Sequence, residues 1–235
     1  AMGTAFSIDL AKRLAFKGEL AKDSIVVCSF GDASQNHSTA QGAINAACWT
    51  SFQSVPLPLM FVCEDNGIGI STRTPRGWVS ANFAQKPGLK YFHANGLNLF
   101  DTYRVALEAS DYVRRRNKPA FLHLSLVRLY GHAGSDMQQS YLSKSTFEKW
   151  EADDPLIYSA ALLITNDILN AQEVLDIYQT TEDQCTRVAG EVIKKSRLAN
   201  AGEVMAAIVP PKRAFKPTNG PSPEIRDEIF GSDIK

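Results

Sequence analysis

The stretch VVCSFGDASQNH, residues 26–37, decides the fold. An apolar run ends at Phe30, and Gly31, a single carboxylate at Asp32 and small polar residues follow it. This layout is typical of a buried strand that passes into a helix. In open parallel sheets, ligands bind beyond the carboxyl ends of such strands. The question is what a carboxylate at this position would hold.

A second stretch with a similar layout, LMFVCEDNGIGIST, occupies residues 59–72. Small residues after both strands would let a ligand approach the backbone, and a following helix N-terminus favours phosphate. A carboxylate would repel phosphate unless a hard cation such as Mg²⁺ lay between them. Asp32, the Asn66 amide and a carbonyl of the GIG turn could bind that cation. Alternatively, Asp32 only caps a helix and Asn66 only makes a turn.

Apolar runs alternate with helical patterns along the first two thirds of the chain. This alternation predicts an α/β fold, a parallel sheet with helices on both faces. The predicted strands cover residues 24–30, 57–64, 91–96 and 120–129, and the predicted helices cover residues 5–17, 37–52 and 100–117.

After Ser143 the pattern becomes helical, over residues 145–165 and 170–199, and Pro-rich sequence follows. We therefore expect three parts. They are an α/β domain that binds the ligand (1–144), a helical C-terminal extension (145–200) and a Pro-rich tail or linker (201–235).

The amino-acid composition of the chain argues against several kinds of binding partner and site. Basic and acidic residues balance at 25 each, so no general footprint for nucleic acid or an anionic membrane is expected. No apolar run is long enough to span a bilayer, and no signal peptide is recognisable. The cysteines lack metal-site spacing and are expected to be buried free thiols: Cys28, Cys48, Cys63 and Cys185. We expect a cytoplasmic protein, or a mitochondrial matrix protein if it is eukaryotic.

Three segments, GDASQNHSTAQGAINAA, FVCEDNGIGIST and VRLYGHAGSD, carry a family resemblance. The first two resemble the paired motif that binds thiamin diphosphate. Over roughly residues 1–200, the chain resembles the α part of the E1 component of 2-oxo acid dehydrogenases. The resemblance implies the thiamin diphosphate-binding fold, with Mg²⁺ held by Asp32, Asn66 and the Ile68 carbonyl. It also implies that the cofactor is contacted by Gly31, Asp32, Ala33, Ser34, Asn36, Asn66, Ile68, Arg128 and His132.

The third segment resembles a family loop that closes over the cofactor. By this resemblance, Arg128 would pair with a diphosphate oxygen, because a guanidinium fork suits that geometry. His132 matches the histidine that lines the reaction centre. By this resemblance it would be the catalytic group that handles protons or stabilises the enamine during reductive acylation. His93 and His123 fall within strand patterns and are expected to be core or cross-strand partners.

The sequence departs from the family pattern at several places. Ala33 replaces a glycine, and Asp65 replaces an asparagine and adds negative charge. Ala133 stands where mitochondrial relatives carry a phosphorylatable serine, so control by a dedicated kinase is not expected there. The chain also lacks an upstream region that the family carries. It is therefore expected to be a fragment, or one portion of a longer or fused polypeptide.

The resemblance implies an E1-type 2-oxo acid dehydrogenase subunit, an oxidoreductase that decarboxylates a 2-oxo acid and passes the acyl group to a lipoyl carrier. Expected partners are a β-type subunit or fused β half, as in a heterotetramer, and a lipoyl-bearing E2 acyltransferase. The chain is expected to be inactive without its β half. Two alternatives stay open: another thiamin diphosphate enzyme (acetoin dehydrogenase or transketolase-like), or a degenerate, non-catalytic binding or assembly module.

Overall fold

The computed structural model describes residues 1–14, 21, 23–209 and 222–230. The strands are β1 (Val26–Gly31), β2 (Leu59–Asp65), β3 (Ile68–Gly69), β4 (Thr72–Arg73), β5 (Lys90–Asn95) and β6 (Ala120–Ser125). The helices are α1 (Met2–Arg13), α2 (Ser38–Phe52), α3 (Trp78–Phe83), α4 (Leu99–Arg116), α5 (Lys144–Ala152), α6 (Pro155–Thr165), α7 (Ala171–Val192), α8 (Ala201–Met205) and α9 (Pro223–Phe230).

The four longer described strands form one parallel sheet in the order β1-β2-β6-β5, and β3 and β4 form a short antiparallel hairpin. Gly31 at the end of β1 is paired with Glu64 on β2. One residue further, Asp65, Ser125 and Asn95 lie side by side on three strands. The carboxyl ends of all four strands therefore lie along one edge of the sheet.

Each face of the sheet carries its own apolar cluster, because successive side chains of a strand point to opposite faces. On one face, Phe61 and Phe121 pack with residues of α1, α2 and α3. On the other face, Met60 and Leu122 pack against α4. The prediction of a parallel sheet covered by helices on both faces is confirmed.

Helix ends follow local chemistry. The Asn98 side chain accepts hydrogen bonds from the first free N–H groups of α4, which satisfies donors that have no partner within the helix. The basic run 114–116 forms the last turn of α4, where it opposes the negative end of the helix dipole. His37 caps α2 by accepting from the Thr39 N–H at 3.2 Å.

Several predicted boundaries were wrong. The fourth strand ends at Ser125 rather than at residue 129, because its neighbours β2 and β5 end at the same level. The predicted helix 145–165 is two helices, since Pro155 cannot donate to a continuing helix and Asp154 caps a new one. Helix α1 begins at Met2, before the predicted residue 5, and the predicted end at residue 17 lies outside the described residues.

The C-terminal predictions also need correction. The second helix of the extension ends at Val192, short of the predicted residue 199. The predicted tail contains the helices α8 and α9, and its Pro-rich centre, residues 210–221, lies outside the described residues. All four cysteines are free, but Cys185 is exposed and Cys28 is only half-buried, so burial holds for Cys48 and Cys63.

The chain separates into two compact units, residues 1–176 and 177–235. The first unit contains the whole sheet and both apolar clusters. The second unit contains the rest of α7 with α8 and α9. The domain boundaries expected at residues 144 and 200 stay predictions.

Candidate functional site

Asp32 lies directly after β1, at the carboxyl edge of the sheet. It is 1% exposed, and its Oδ2 atom has no hydrogen-bond partner among the described residues. Gln35, one turn later, is fully buried, and neither polar atom of its side chain has a partner there. Unpaired buried polar groups are costly, so they call for an explanation such as an ion or another polar ligand.

The second stretch forms a tight turn after β2, the strand that is paired with β1. The Asn66 Oδ1 atom accepts from the Ile68 N–H at 3.2 Å, and Gly67 has a φ of 73°. Asn66 thus does make a turn, as the alternative interpretation expected, but an amide oxygen has a second lone pair that is still free for a cation. A carboxylate, an amide oxygen and the Ile68 carbonyl are the hard oxygen ligands that Mg²⁺ prefers.

This donor set fits a cation that is shared with a ligand. Among the described residues, no group of three or more His, Cys, Asp or Glu side chains is placed to hold a metal ion. The proposed set has one carboxylate, so most ligands would be neutral oxygens and oxygens of the bound cofactor. Mg²⁺ often binds in this way, through one or two carboxylates and substrate phosphates.

The two loops touch at Ala33 and Gly69. A Cβ atom added at Gly69 would lie 2.3 Å from the Ala33 Cβ, so only glycine fits against this alanine. The Ala33 position therefore tolerates a methyl group because the facing position has none. The close approach fixes the loop after β1 against the β3–β4 hairpin.

Arg128 joins the loop after β6 to the same hairpin. Its Nη1 donates to the Ile70 carbonyl at 2.7 Å, and its Nη2 donates to the Tyr141 hydroxyl. Its Nε is buried and has no partner among the described residues. The Asp136 carboxylate lies 3.7 Å from the guanidinium. The structure thus gives Arg128 a structural role beside the predicted one.

His132 lies on the surface of this loop. Its side chain is exposed, and its main-chain N–H donates to Asp136 Oδ2 at 2.7 Å. That bond and one from the Tyr141 hydroxyl lower the pKa of Asp136 below its usual range. The loop is therefore ordered by Asp136, Tyr141 and Arg128, while the His132 ring stays open to a ligand.

The other predicted cofactor residues lie in the segment after β1. Ser34 and Asn36 are exposed in one turn of 3-10 helix. The Asn36 amide accepts from Trp78 Nε1 at 2.8 Å and donates to the Ala33 carbonyl at 3.3 Å. Gly31 is the last residue of β1. The structure thus holds these residues within the same loop region as Asp32.

A chain of hydrogen bonds that sequence reasoning missed supports the turn after β2. Asp65 Oδ2 bonds His123 Nε2 at 2.8 Å, and His123 Nδ1 bonds the Tyr91 hydroxyl at 2.6 Å. Asp65 Oδ1 accepts from the Gly67 N–H at 3.0 Å. The bond from His123 lowers the pKa of Asp65, and that from Gly67 adds to this effect, while burial opposes it. The negative charge at Asp65 is thus held by protein donors.

The histidines themselves were predicted to be core or cross-strand partners, and this is confirmed. His93 and His123 are paired in register on β5 and β6, with ring centroids 4.9 Å apart. No sequence pattern linked His123 to Asp65, because the two residues lie 58 positions apart. Only the strand register brings them together.

The sequence of the chain matches a known protein family over most of its length. The family model described as "Dehydrogenase E1 component" matches residues 5–199. The chain belongs to the dehydrogenase E1 family. The match covers the sheet, the loops after β1, β2 and β6, and the helices as far as α7. The resemblance found in the sequence motifs is therefore confirmed.

Named members of the E1 family are similar to the chain at low identity. A pyruvate dehydrogenase E1 component subunit alpha of Rickettsia bellii is 26% identical over 79% of this chain and 56% of its own length. The testis-specific mitochondrial forms of Rattus norvegicus and Homo sapiens are 26% and 27% identical, over 67% and 66% of this chain and 40% and 39% of their own lengths. The chain thus spans about half the length of the relatives it matches.

Within the described ranges, no helix combines the length and the apolar character that a membrane crossing requires.

Proposed function

We propose that this chain is the α part of an E1-type 2-oxo acid dehydrogenase that uses thiamin diphosphate and Mg²⁺. The whole enzyme would decarboxylate a small 2-oxo acid oxidatively and transfer the acyl group to a lipoyl carrier. The observation that carries the proposal is Asp32, a buried carboxylate at the carboxyl edge of the sheet with one oxygen that has no partner in the described part of the chain. The family match, which implies thiamin diphosphate use, supports it.

The residues after β1 and β2 would bind the cofactor. Asp32, the Asn66 amide and the Ile68 carbonyl would hold Mg²⁺, which would supply positive charge to offset the negative charge of the diphosphate. Ala33 and its neighbours Gly31, Ser34 and Asn36 would contact the diphosphate. When bound, thiamin diphosphate supplies the nucleophilic carbon and the electron sink for decarboxylation. The protein orients the reactants and excludes water.

The loop after β6 would complete the pocket. Arg128 would place positive charge beside the diphosphate while its Nη atoms keep the hairpin in place. His132 would exchange a proton with the substrate through a ring nitrogen, since a neutral imidazole carries both a proton donor and a proton acceptor.

The whole assembly would need further chains. We propose a β-type subunit or fused β half as the partner that completes catalysis, as in a heterotetramer, and a lipoyl-bearing E2 as the acceptor. The chain alone would not turn over substrate. The cytoplasm or the mitochondrial matrix would be its compartment.

Two measurements test the proposal: thermal unfolding of the chain, and calorimetric titration of thiamin diphosphate into the chain with and without Mg²⁺. Thiamin diphosphate with Mg²⁺ is expected to raise the melting temperature of the chain, and neither ligand alone should do so. Asp32→Asn keeps the shape of the buried side chain but replaces one carboxylate oxygen, so it removes a ligand for the cation without removing packing. The same variant should lose the response to cofactor. The control Glu64→Gln changes an exposed carboxylate on β2 and should leave that response unchanged.

The titration is repeated with the β-type half present, so that a missing partner does not obscure the result. Binding that depends on Mg²⁺ and on Asp32 would support the proposal. If the chain with its β half shows no Mg²⁺-dependent response, the proposed function is wrong and the non-catalytic alternative is favoured.

A further inference from the structure

A hydrogen bond from the Asp65 side chain helps to close the turn that would supply two of the proposed Mg²⁺ ligands. Asp65 precedes Asn66 and accepts from the Gly67 N–H through Oδ1, which closes the turn that carries the Ile68 carbonyl. The other carboxylate oxygen, Oδ2, bonds His123. The orientation of the Asp65 carboxylate therefore sets the position of the Gly67 N–H.

The polarity of the hydrogen-bond chain follows from its members. An ionised Asp65 only accepts, so His123 donates to it through Nε2. In the tautomer that carries its proton on Nε2, His123 Nδ1 accepts from the Tyr91 hydroxyl. Burial raises the pKa of Tyr91 to about 12, so its hydroxyl stays protonated and able to donate. Each donor in the chain meets one acceptor, and His123 is only 6% exposed. A satisfied buried network of this kind holds its members in one orientation.

We propose that His123 is a positioning residue for the cofactor site, which acts through Asp65 on the Asn66–Ile68 turn and is itself oriented by Tyr91. The proposal rests on the proposed function. Among the described residues, His123 forms no hydrogen bond with Asp32, Asn66 or Ile68, and its effect passes through the bonds from His123 to Asp65 and from the Gly67 N–H to Asp65. Residues that form hydrogen bonds behind the metal ligands commonly change metal affinity by about 10–100-fold when they are removed.

The variants separate positioning from packing. His123→Leu removes both ring nitrogens, and Tyr91→Phe removes only a hydroxyl and keeps the aromatic ring that packs on Phe121. Because His123→Leu could unfold the sheet, Tyr91→Phe is the second, milder variant. The control is His93→Gln, at the same register on β5. The His93 ring packs on His123 with centroids 4.9 Å apart but bonds Ser125 and not Asp65, so this variant changes the packing on His123 without removing a member of the hydrogen-bond chain.

The first measurement is hydrogen exchange of the Gly67 amide in the full chain without cofactor. We expect exchange to be about tenfold faster in His123→Leu and a few-fold faster in Tyr91→Phe, with the amides of β1 unchanged. His93→Gln should exchange as the wild type does. Equal Gly67 exchange in all four proteins would overturn the proposal.

The second measurement is calorimetric titration of thiamin diphosphate with Mg²⁺, with the β-type half present where the chain requires it. We expect an affinity about tenfold lower in His123→Leu, a smaller loss in Tyr91→Phe, and no loss in His93→Gln. If the wild type binds and His123→Leu and Tyr91→Phe bind equally well, the positioning role is wrong and the proposed function stands. If the wild type itself does not bind, the proposed function fails and this role fails with it.

Discussion

The Cys63 thiol lies fully buried on β2, close to three carboxylates. Burial, followed by the charges of Asp65, Asp32 and Glu64, raises its pKa from 9.0 to about 12. The folded chain therefore keeps this proton at a pH at which the unfolded chain releases it. The contribution of the buried, protonated Cys63 thiol to the free energy of unfolding is complete below pH 9. This contribution is lost as the pH rises toward 12.

Cys63→Ala should remove this pH dependence. Between about pH 8 and pH 10.5, the wild type should lose about 2 kcal/mol more free energy of unfolding than Cys63→Ala does. Urea unfolding of both proteins at the two pH values measures the difference. Cys185→Ala is the control, because Cys185 is exposed. Equal losses in the wild type and in Cys63→Ala would contradict the assignment.

Ile70 combines a β-branched side chain with a φ of 55°, and it is 59% exposed. This conformation is strained for a residue other than glycine, at about 1–2 kcal/mol. Its carbonyl receives the Arg128 Nη1–H bond, so the strain lies where the loop after β6 meets the hairpin.

Ile70→Gly should relieve this strain and raise the free energy of unfolding by about 1 kcal/mol. Chemical denaturation is the measurement. Val27→Gly is the control, since Val27 is a half-exposed residue of extended β1 and its loss should cost about 1 kcal/mol. A comparable loss in Ile70→Gly would show that the residue is not strained.

At the scale of elements, the loop after β1 and the β3–β4 hairpin interlock at Ala33 and Gly69. Gly69→Ala should cost about 1–3 kcal/mol, because its Cβ would overlap the Ala33 Cβ. Adding Ala33→Gly should restore most of that loss, since the second change makes room for the first. Chemical denaturation of the single and double variants measures the coupling.

The control for this interlock is Gly67→Ala. Gly67 has open space around it but a φ of 73°, so alanine there is strained without a steric overlap. Ala33→Gly should not rescue that variant. Equal rescue of Gly67→Ala and Gly69→Ala would argue against a specific contact between the two loops.

Only part of the candidate site could be predicted from the sequence. The glycine and acidic signals after the apolar runs at 24–30 and 57–64 placed Asp32 and Asn66 at strand ends, because strand ends are local features. The contact between Ala33 and Gly69, and the bond from Arg128 to the Ile70 carbonyl, join separate loops. No local pattern reports such contacts.

At the scale of the whole molecule, zero net charge and exposed apolar surface both favour association of the chain. The formal net charge is zero at pH 7. On α4, Leu99, Tyr103 and Leu107 recur every four residues along one side of the helix, and each is more than half exposed. A chain without net charge that exposes an apolar stripe tends to associate.

We expect the solubility of the isolated chain to be lowest near pH 7 and to rise when Tyr103→Lys and Leu107→Lys are combined. Sedimentation of the concentrated protein over a pH series measures this. The control pair Glu108→Gln and Asp111→Asn adds the same +2 charge on α4 and leaves the stripe intact. If that pair raises solubility equally, charge alone and not the stripe sets solubility.

The sequence by itself determined the α/β class, the strand–helix alternation and the residues at the strand ends. These are consequences of apolar periodicity, of glycine and proline placement and of motif resemblance, which short windows of sequence carry. Strand ends and broken helices were less predictable. β6 ends with its neighbours, and Pro155 divides a helical run whose apolar pattern continues.

Only the tertiary structure decided which distant side chains meet. The sheet order β1-β2-β6-β5 places β6 beside β2, so His123 reaches Asp65, and β5 beside β6, so Tyr91 reaches His123. The same packing buries Asp32 and leaves one of its oxygens without a partner within the described ranges. Hydrogen bonding and burial at this edge depend on strand register and loop packing, which are properties of the folded chain and not of any single segment.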